Sequence, residues 1–154
     1  MAGKSSARGG CGIGNGRYAE FARLFKDMIR TAVTLDRELA AKFGLALTDL
    51  MCLVYLKECE GPANAKMVAE NVNLSTGATT ALLDRLERDG FIERKPNPAD
   101  RRGIIIGLVE ERAGPVLDEH LHLRDRLHGA YDSLSEAEAD AVLRFMRALA
   151  TSEV

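Results

Sequence analysis

Between Ser75 and Arg88 the chain carries side chains suited to gripping a polyanion and reading flat polar edges. At helical spacing, Thr79, Leu82, Leu83 and Leu86 follow an i, i+3, i+4, i+7 rule and turn toward a core. That leaves Thr76, Gly77, Thr80, Ala81 and Asp84 on the opposite face, with Arg85 and Arg88 at its edges. Small residues let a helix approach base edges closely. The Thr76 and Thr80 hydroxyls can bond bases or phosphates, and the Ala81 methyl can meet a thymine methyl. The free N–H groups of the first turn suit a phosphate, and Arg85 and Arg88 suit the nucleic-acid backbone better than the bases. Any solvated helix carries threonine, aspartate and arginine outside, so the weight of this pattern depends on what flanks it.

The flank is a second basic feature. Asn97-Pro98-Ala99-Asp100-Arg101-Arg102-Gly103 reads as the tip of a hairpin. Arg101 and Arg102 put two guanidinium groups at its extreme, where a narrow minor groove attracts them. Asp100 can hold one of them by a bidentate contact. Net charge is −2 over the 154 residues, no advertisement for nucleic acid, but its distribution is uneven. Residues 94–102 carry Arg94, Lys95, Arg101 and Arg102 against Asp100 alone, whereas residues 103–154 carry five basic and ten acidic side chains. The positive field is local to the hairpin, which suffices for phosphate contact while overall acidity weakens non-specific binding.

The elements that must position these groups follow from caps and breakers. Asn64 caps a short helix through Asn71, Val72-Asn73-Leu74 is a turn, and Ser75 caps the helix that Gly90 stops. Residues 91–95 and 103–109 are short strands. Helix, turn, helix and basic hairpin in this order suggest a winged helix-turn-helix, a module that lays one helix in a groove of duplex DNA and a basic tip in the next. Upstream, residues 1–16 hold six glycines and read as a disordered tail. A long helix from about Arg17 to Lys42 follows, with Phe21, Phe25, Met28, Ala32, Leu35 and Leu39 forming a packing seam and Gly44 ending it. The next helix, from about Thr48 to Cys59, is apolar on more than one side and should be central. Downstream, one helix runs from about Glu110 to Ser133, bent or delayed at Gly114-Pro115. A last helix opens with a Ser135/Glu138 capping box and buries Val142, Phe145, Met146 and Leu149. The fold class is mainly α with a small antiparallel hairpin.

Other chemistries find little support. His120, His122 and His128 lack the spacing of a zinc site, so no metal and no cofactor is expected. There is no nucleophile–base constellation, and the N-terminal glycines follow no strand, so an enzyme is not expected. Cys11, Cys52 and Cys59 are too sparse for a disulfide framework; Cys52 and Cys59 read as small core hydrophobes. No apolar run approaches the roughly 20 residues that span a bilayer, and a cytoplasmic protein without membrane contact is the expectation.

The stretches Leu74-Ser75-Thr76-Gly77-Ala78-Thr79-Thr80, Leu83-Asp84-Arg85-Leu86-Glu87-Arg88-Asp89-Gly90-Phe91-Ile92-Glu93-Arg94 and Asp100-Arg101-Arg102 resemble the MarR family of bacterial transcription regulators. So does the Leu134-Ser135-x-x-Glu138 start of the last helix, and the likeness covers about residues 17–150. The resemblance implies a homodimer on a pseudo-palindromic operator in double-stranded DNA. Residues 17–43 and 110–154 would then be dimerisation helices, and residues 44–109 the DNA-binding domain. It implies major-groove contacts by Ser75, Thr76, Gly77 and Thr80, phosphate contact or domain bracing by Arg85, and minor-groove entry by Arg102 with Arg101. It also implies a cleft for a small aromatic or anionic effector that releases a repressor; Phe25, Met28, Met51 and Tyr55 could border it. Leu108-Val109 departs from the Leu-Thr usual before the fifth helix, and Cys11 lies upstream of the first helix, where peroxide-sensing members carry their cysteine. The competing reading is a winged helix used only for protein–protein contact.

Overall fold

A computed structural model of the chain describes residues 14–98 and 103–151. The elements run α1 (Gly14–Lys42), α2 (Leu47–Glu58), α3 (Ala65–Val72), α4 (Thr76–Arg88), β1 (Ile92–Pro96), β2 (Ile104–Leu108), α5 (Glu110–Asp132) and α6 (Glu136–Thr151). The chain divides between Leu35 and Asp36 into two compact units.

The first unit is the N-terminal part of α1. The helix begins at Gly14, not Arg17, so the last three residues of the expected tail are helical. Each helical glycine costs about 1 kcal/mol relative to alanine, but a formed helix behind it adds one hydrogen bond per residue fixed. The Tyr18, Phe21 and Phe25 rings follow one another along the helix, the latter two stacked at 5.9 Å between centroids. Asp27 pairs with Arg23 and Arg30 on the polar side. Phe21, Leu24, Met28 and Ile29 are exposed.

In the second unit, Leu39, Leu50, Leu53, Val68, Leu82, Leu83, Leu86, Phe91, Ile92, Ile106, Val116 and Leu117 form one core. It gathers the end of α1, helices α2 to α5 and both strands. Two helices end in the same device. Past α1, Leu45 N–H reaches Ala40 C=O and Gly44 N–H reaches Ala41 C=O; past α4, Phe91 N–H reaches Leu86 C=O and Gly90 N–H reaches Glu87 C=O. This paired closure needs a left-handed residue, supplied by Gly44 and Gly90 at φ 72° and 77°. Between α3 and α4 the left-handed position falls to Asn73 at φ 52°, a residue that tolerates it better than most.

β1 and β2 pair antiparallel, Ile92 opposite Leu108 and Pro96 opposite Ile104, and Asn97 N–H to Gly103 C=O closes the ladder toward the tip. A single bridge from Ala63 to Ile106 ties β2 to the segment before α3, a pairing with no signal in the alternation of apolar residues. Val109 caps α5 without a side-chain hydrogen bond, as its apolar side chain requires. Pro115 neither delays the helix nor ends it; it sits in the second turn and removes one ladder donor there.

Two expectations fail. Val142, Phe145, Met146 and Leu149 on α6 are exposed, not buried. Cys59 is half-buried at the C-cap of α2, outside the helix proper, while Cys52 is fully enclosed.

Candidate nucleic-acid interface

Ser75 sits at the N-cap of α4, where its hydroxyl accepts the Ala78 N–H at 3.3 Å. Thr79 is buried and donates its hydroxyl to the Ser75 carbonyl at 3.0 Å, which anchors the first turn from inside. Thr80 is exposed and donates to the Thr76 carbonyl at 3.0 Å. That bond fixes the hydroxyl while leaving oxygen lone pairs directed outward for a donor. Thr76, Gly77, Ala81, Asp84 and Arg88 are exposed along the same helix, as its periodicity requires. A methyl group built on Gly77 meets nothing within 4 Å, so no contact inside the chain demands glycine there. A shallow groove of about 320 Å³ runs beside the threonines, lined by Ala65, Lys66, Ala69 and Glu70 of α3 and Thr76, Thr79 and Thr80 of α4.

The arginines divide by partner. Arg85 reaches across to α2, its Nε 3.2 Å and its Nη2 2.5 Å from the two carboxylate oxygens of Asp49. Asp49 is buried and also accepts the Ala46 N–H at 2.9 Å, closing the start of α2. Hydrogen bonding to Asp49 holds the Arg85 guanidinium above its ordinary pKa. Arg88, by contrast, pairs with its exposed neighbour Asp89 at 3.0 Å. Arg94 on β1 binds Asp84 at 2.7 Å and also Glu87, so the hairpin's first strand is pinned to α4. Asp100, Arg101 and Arg102 lie outside the described residues.

Among the residues expected to border a ligand cleft, Phe25 and Met28 belong to the first unit and Met51 and Tyr55 to the second. Met51 and Tyr55 are half-buried against the core. The Tyr55 hydroxyl stands 3.8 Å from the Cys59 sulfur, and burial first, then that contact, raises its pKa. Burial, reinforced by the charge of Asp49, pushes the Cys52 thiol up to about 12. Among the described residues no group of three or more His, Cys, Asp or Glu side chains could hold a metal, and no single helix is long and apolar enough to cross a membrane. His120 lies 3.6 Å from Asp36, and His128 2.9 Å from Asp132.

The family model for the MarR family matches residues 45–104, from just before α2 to the start of β2. The HTH-type transcriptional regulator YcgE of Bacillus subtilis (strain 168) is 33% identical over 118 residues, 77% of this chain and 69% of that protein. The chain belongs to the MarR family. It is a winged helix-turn-helix transcription regulator. A MarR family protein of Bacillus stearothermophilus has the same fold, with a TM-score of 0.65 at 24% identity over 88% of this chain and 94% of that one. CouR of Rhodococcus jostii RHA1, solved bound to p-coumaroyl-CoA, aligns with a TM-score of 0.62 at 21% identity over 87% and 94% of the two chains.

Two groups at this MarR site escaped the sequence. Asp49 is the lone acid in the first turn of an otherwise apolar helix, a signal that it has a buried partner. Arg94 reads from its position as one more basic residue of the hairpin, but its charge is spent on Asp84 and Glu87.

Proposed function

We propose that the chain is a homodimeric, sequence-specific DNA-binding regulator that represses transcription until a small-molecule effector releases it. The observation that supports this best is the exposed face of α4, where Thr76, Gly77, Thr80 and Ala81 lie together with no internal structural need for the glycine. In this reading Thr76, Gly77 and Thr80 meet base edges, Ser75 presents the first turn of α4, Arg88 contacts phosphate, and Arg101 and Arg102, steadied by Asp100, enter the minor groove. Arg85 braces the domain. Two-fold symmetry sets the recognition helices about 34 Å apart, one turn of duplex. The exposed apolar side chains of α1 and α6 supply the surface for a second copy. CouR holds an aromatic thioester, so small aromatic acids and their thioesters are the first effector class to screen, with Phe25, Met28, Met51 and Tyr55 as the residues to probe.

The test is fluorescence anisotropy on duplex DNA from upstream of the gene, titrated with salt. Specific binding should weaken steeply, the logarithm of affinity falling by about 0.9 per phosphate contact for each decade of salt. A net charge of −2 favours the rival reading, a module for protein contact alone. No binding at low salt would decide for that rival; full affinity in a Thr76→Val/Thr80→Val variant would remove the threonine face from the readout.

A further inference from the structure

Asp49 is 2% exposed, so no duplex reaches it. Its carboxylate nevertheless accepts two hydrogen bonds along one edge of the Arg85 guanidinium of α4, from Nε and Nη2, while the Ala46 N–H fixes its own orientation. At 100° per residue, Arg85 lies on one shoulder of α4, about 180° from Thr76. Glu87 lies toward the other shoulder, about 20° from Thr76, and Asp84 on the exposed face itself; Arg94 of β1 holds both. The exposed face of Thr76, Gly77, Thr80 and Ala81 is therefore carried on a helix clamped on both flanks. Rolling such a helix about its axis requires both clamps to yield. A roll of about 10° would move side-chain tips, some 5–6 Å from the axis, by roughly 1 Å, enough to spoil hydrogen-bond geometry at a base edge.

We propose that Asp49 is a positioning residue for sequence readout: through Arg85 it sets the roll of α4, and so the register of the threonine face against the bases. This rests on α4 being the DNA-reading helix. Arg85 then serves Asp49 and not a phosphate, so loss of the pair degrades discrimination while leaving the electrostatic part of binding in place.

The experiment compares the full-length wild type with Asp49→Asn, which is isosteric and still accepts the Ala46 N–H. Affinities are read by anisotropy at a temperature where circular dichroism shows each protein folded. The probes are the duplex that the wild type enriches from a randomised pool and a scrambled duplex of the same composition. The specific-to-scrambled ratio should fall roughly tenfold or more, the scale of one lost base contact. Scrambled-duplex affinity and its salt slope should hold. Val116→Ala, a core truncation on α5, should lower the melting temperature and leave the ratio intact. Should Asp49→Asn fail to fold, Asp49→Glu, with the charge on a longer arm, is expected to lower the ratio in its place. An unchanged ratio, or an equal fall in Val116→Ala, overturns the positioning role; if Thr80→Val still loses specific binding, the reading of α4 survives that failure. A wild type that prefers neither duplex overturns both.

Discussion

The threonine face of α4 was legible from the sequence because helical periodicity sorts one face from the other, and the residues it assigned inward, Thr79, Leu82, Leu83 and Leu86, are all buried. The partners of the charged residues were not legible, because an ion pair such as Asp49–Arg85 joins positions 36 apart and depends on how two helices pack. Gly77 offers a direct probe at this scale. Its backbone is ordinary helix and a methyl group fits without contact, so Gly77→Ala should stabilise the protein by about 1 kcal/mol in urea denaturation. The same methyl should weaken specific DNA binding about tenfold if the duplex approaches there. Cys52 provides a second test. With its thiol pKa pushed up to about 12, it holds almost no thiolate at pH 8 and should resist iodoacetamide until denaturant exposes it. Labelling of Cys52 in the native protein, read by peptide mass, would contradict its burial.

At the scale of elements, caps and stops were readable because they rest on local backbone chemistry: Asn64, Ser75, Gly44 and Gly90 each stand where their types demand. Tertiary support was not: the Ala63–Ile106 bridge joins segments that share no sequence signature. The start of α6 shows a cap with a pH signature. The Ser135 hydroxyl and backbone N–H both donate to Glu138, at 2.6 and 2.9 Å, and these bonds hold its carboxyl below the usual value. A depressed folded-state pKa stabilises the native form at every pH above the free carboxyl value, about 4.3, and that support fades as pH falls through the lower native value. Wild type should therefore exceed Glu138→Gln in thermal stability at pH 7, with the gap closing near pH 3. A gap that persists in acid would assign the cap no charge dependence.

Over the whole molecule, the exposed faces were the hardest to anticipate, because an amphipathic helix marks its apolar side without saying which chain covers it. Val142, Phe145, Met146 and Leu149 pointed to burial, and their cover lies outside the protomer if the proposed dimer holds. A charge placed there, Phe145→Glu, should give a monomer by light scattering. It should also weaken operator binding by roughly 10²-fold or more, the usual loss when two linked contacts become one. An intact dimer would move the interface elsewhere. The hairpin, finally, is fastened below its tip: Asn97 N–H meets Gly103 C=O, and Ile106 N–H meets Ala63 C=O further down. The stem is thus closed at Asn97 and Gly103, and the segment from residue 98 to residue 102 is the one to exchange. Exchanging it for a short Asn-Gly turn should leave the amide of Ile106 as slow to swap deuterium as before, and tips taken from other regulators could be transplanted onto the same stem to retune which grooves the protein prefers.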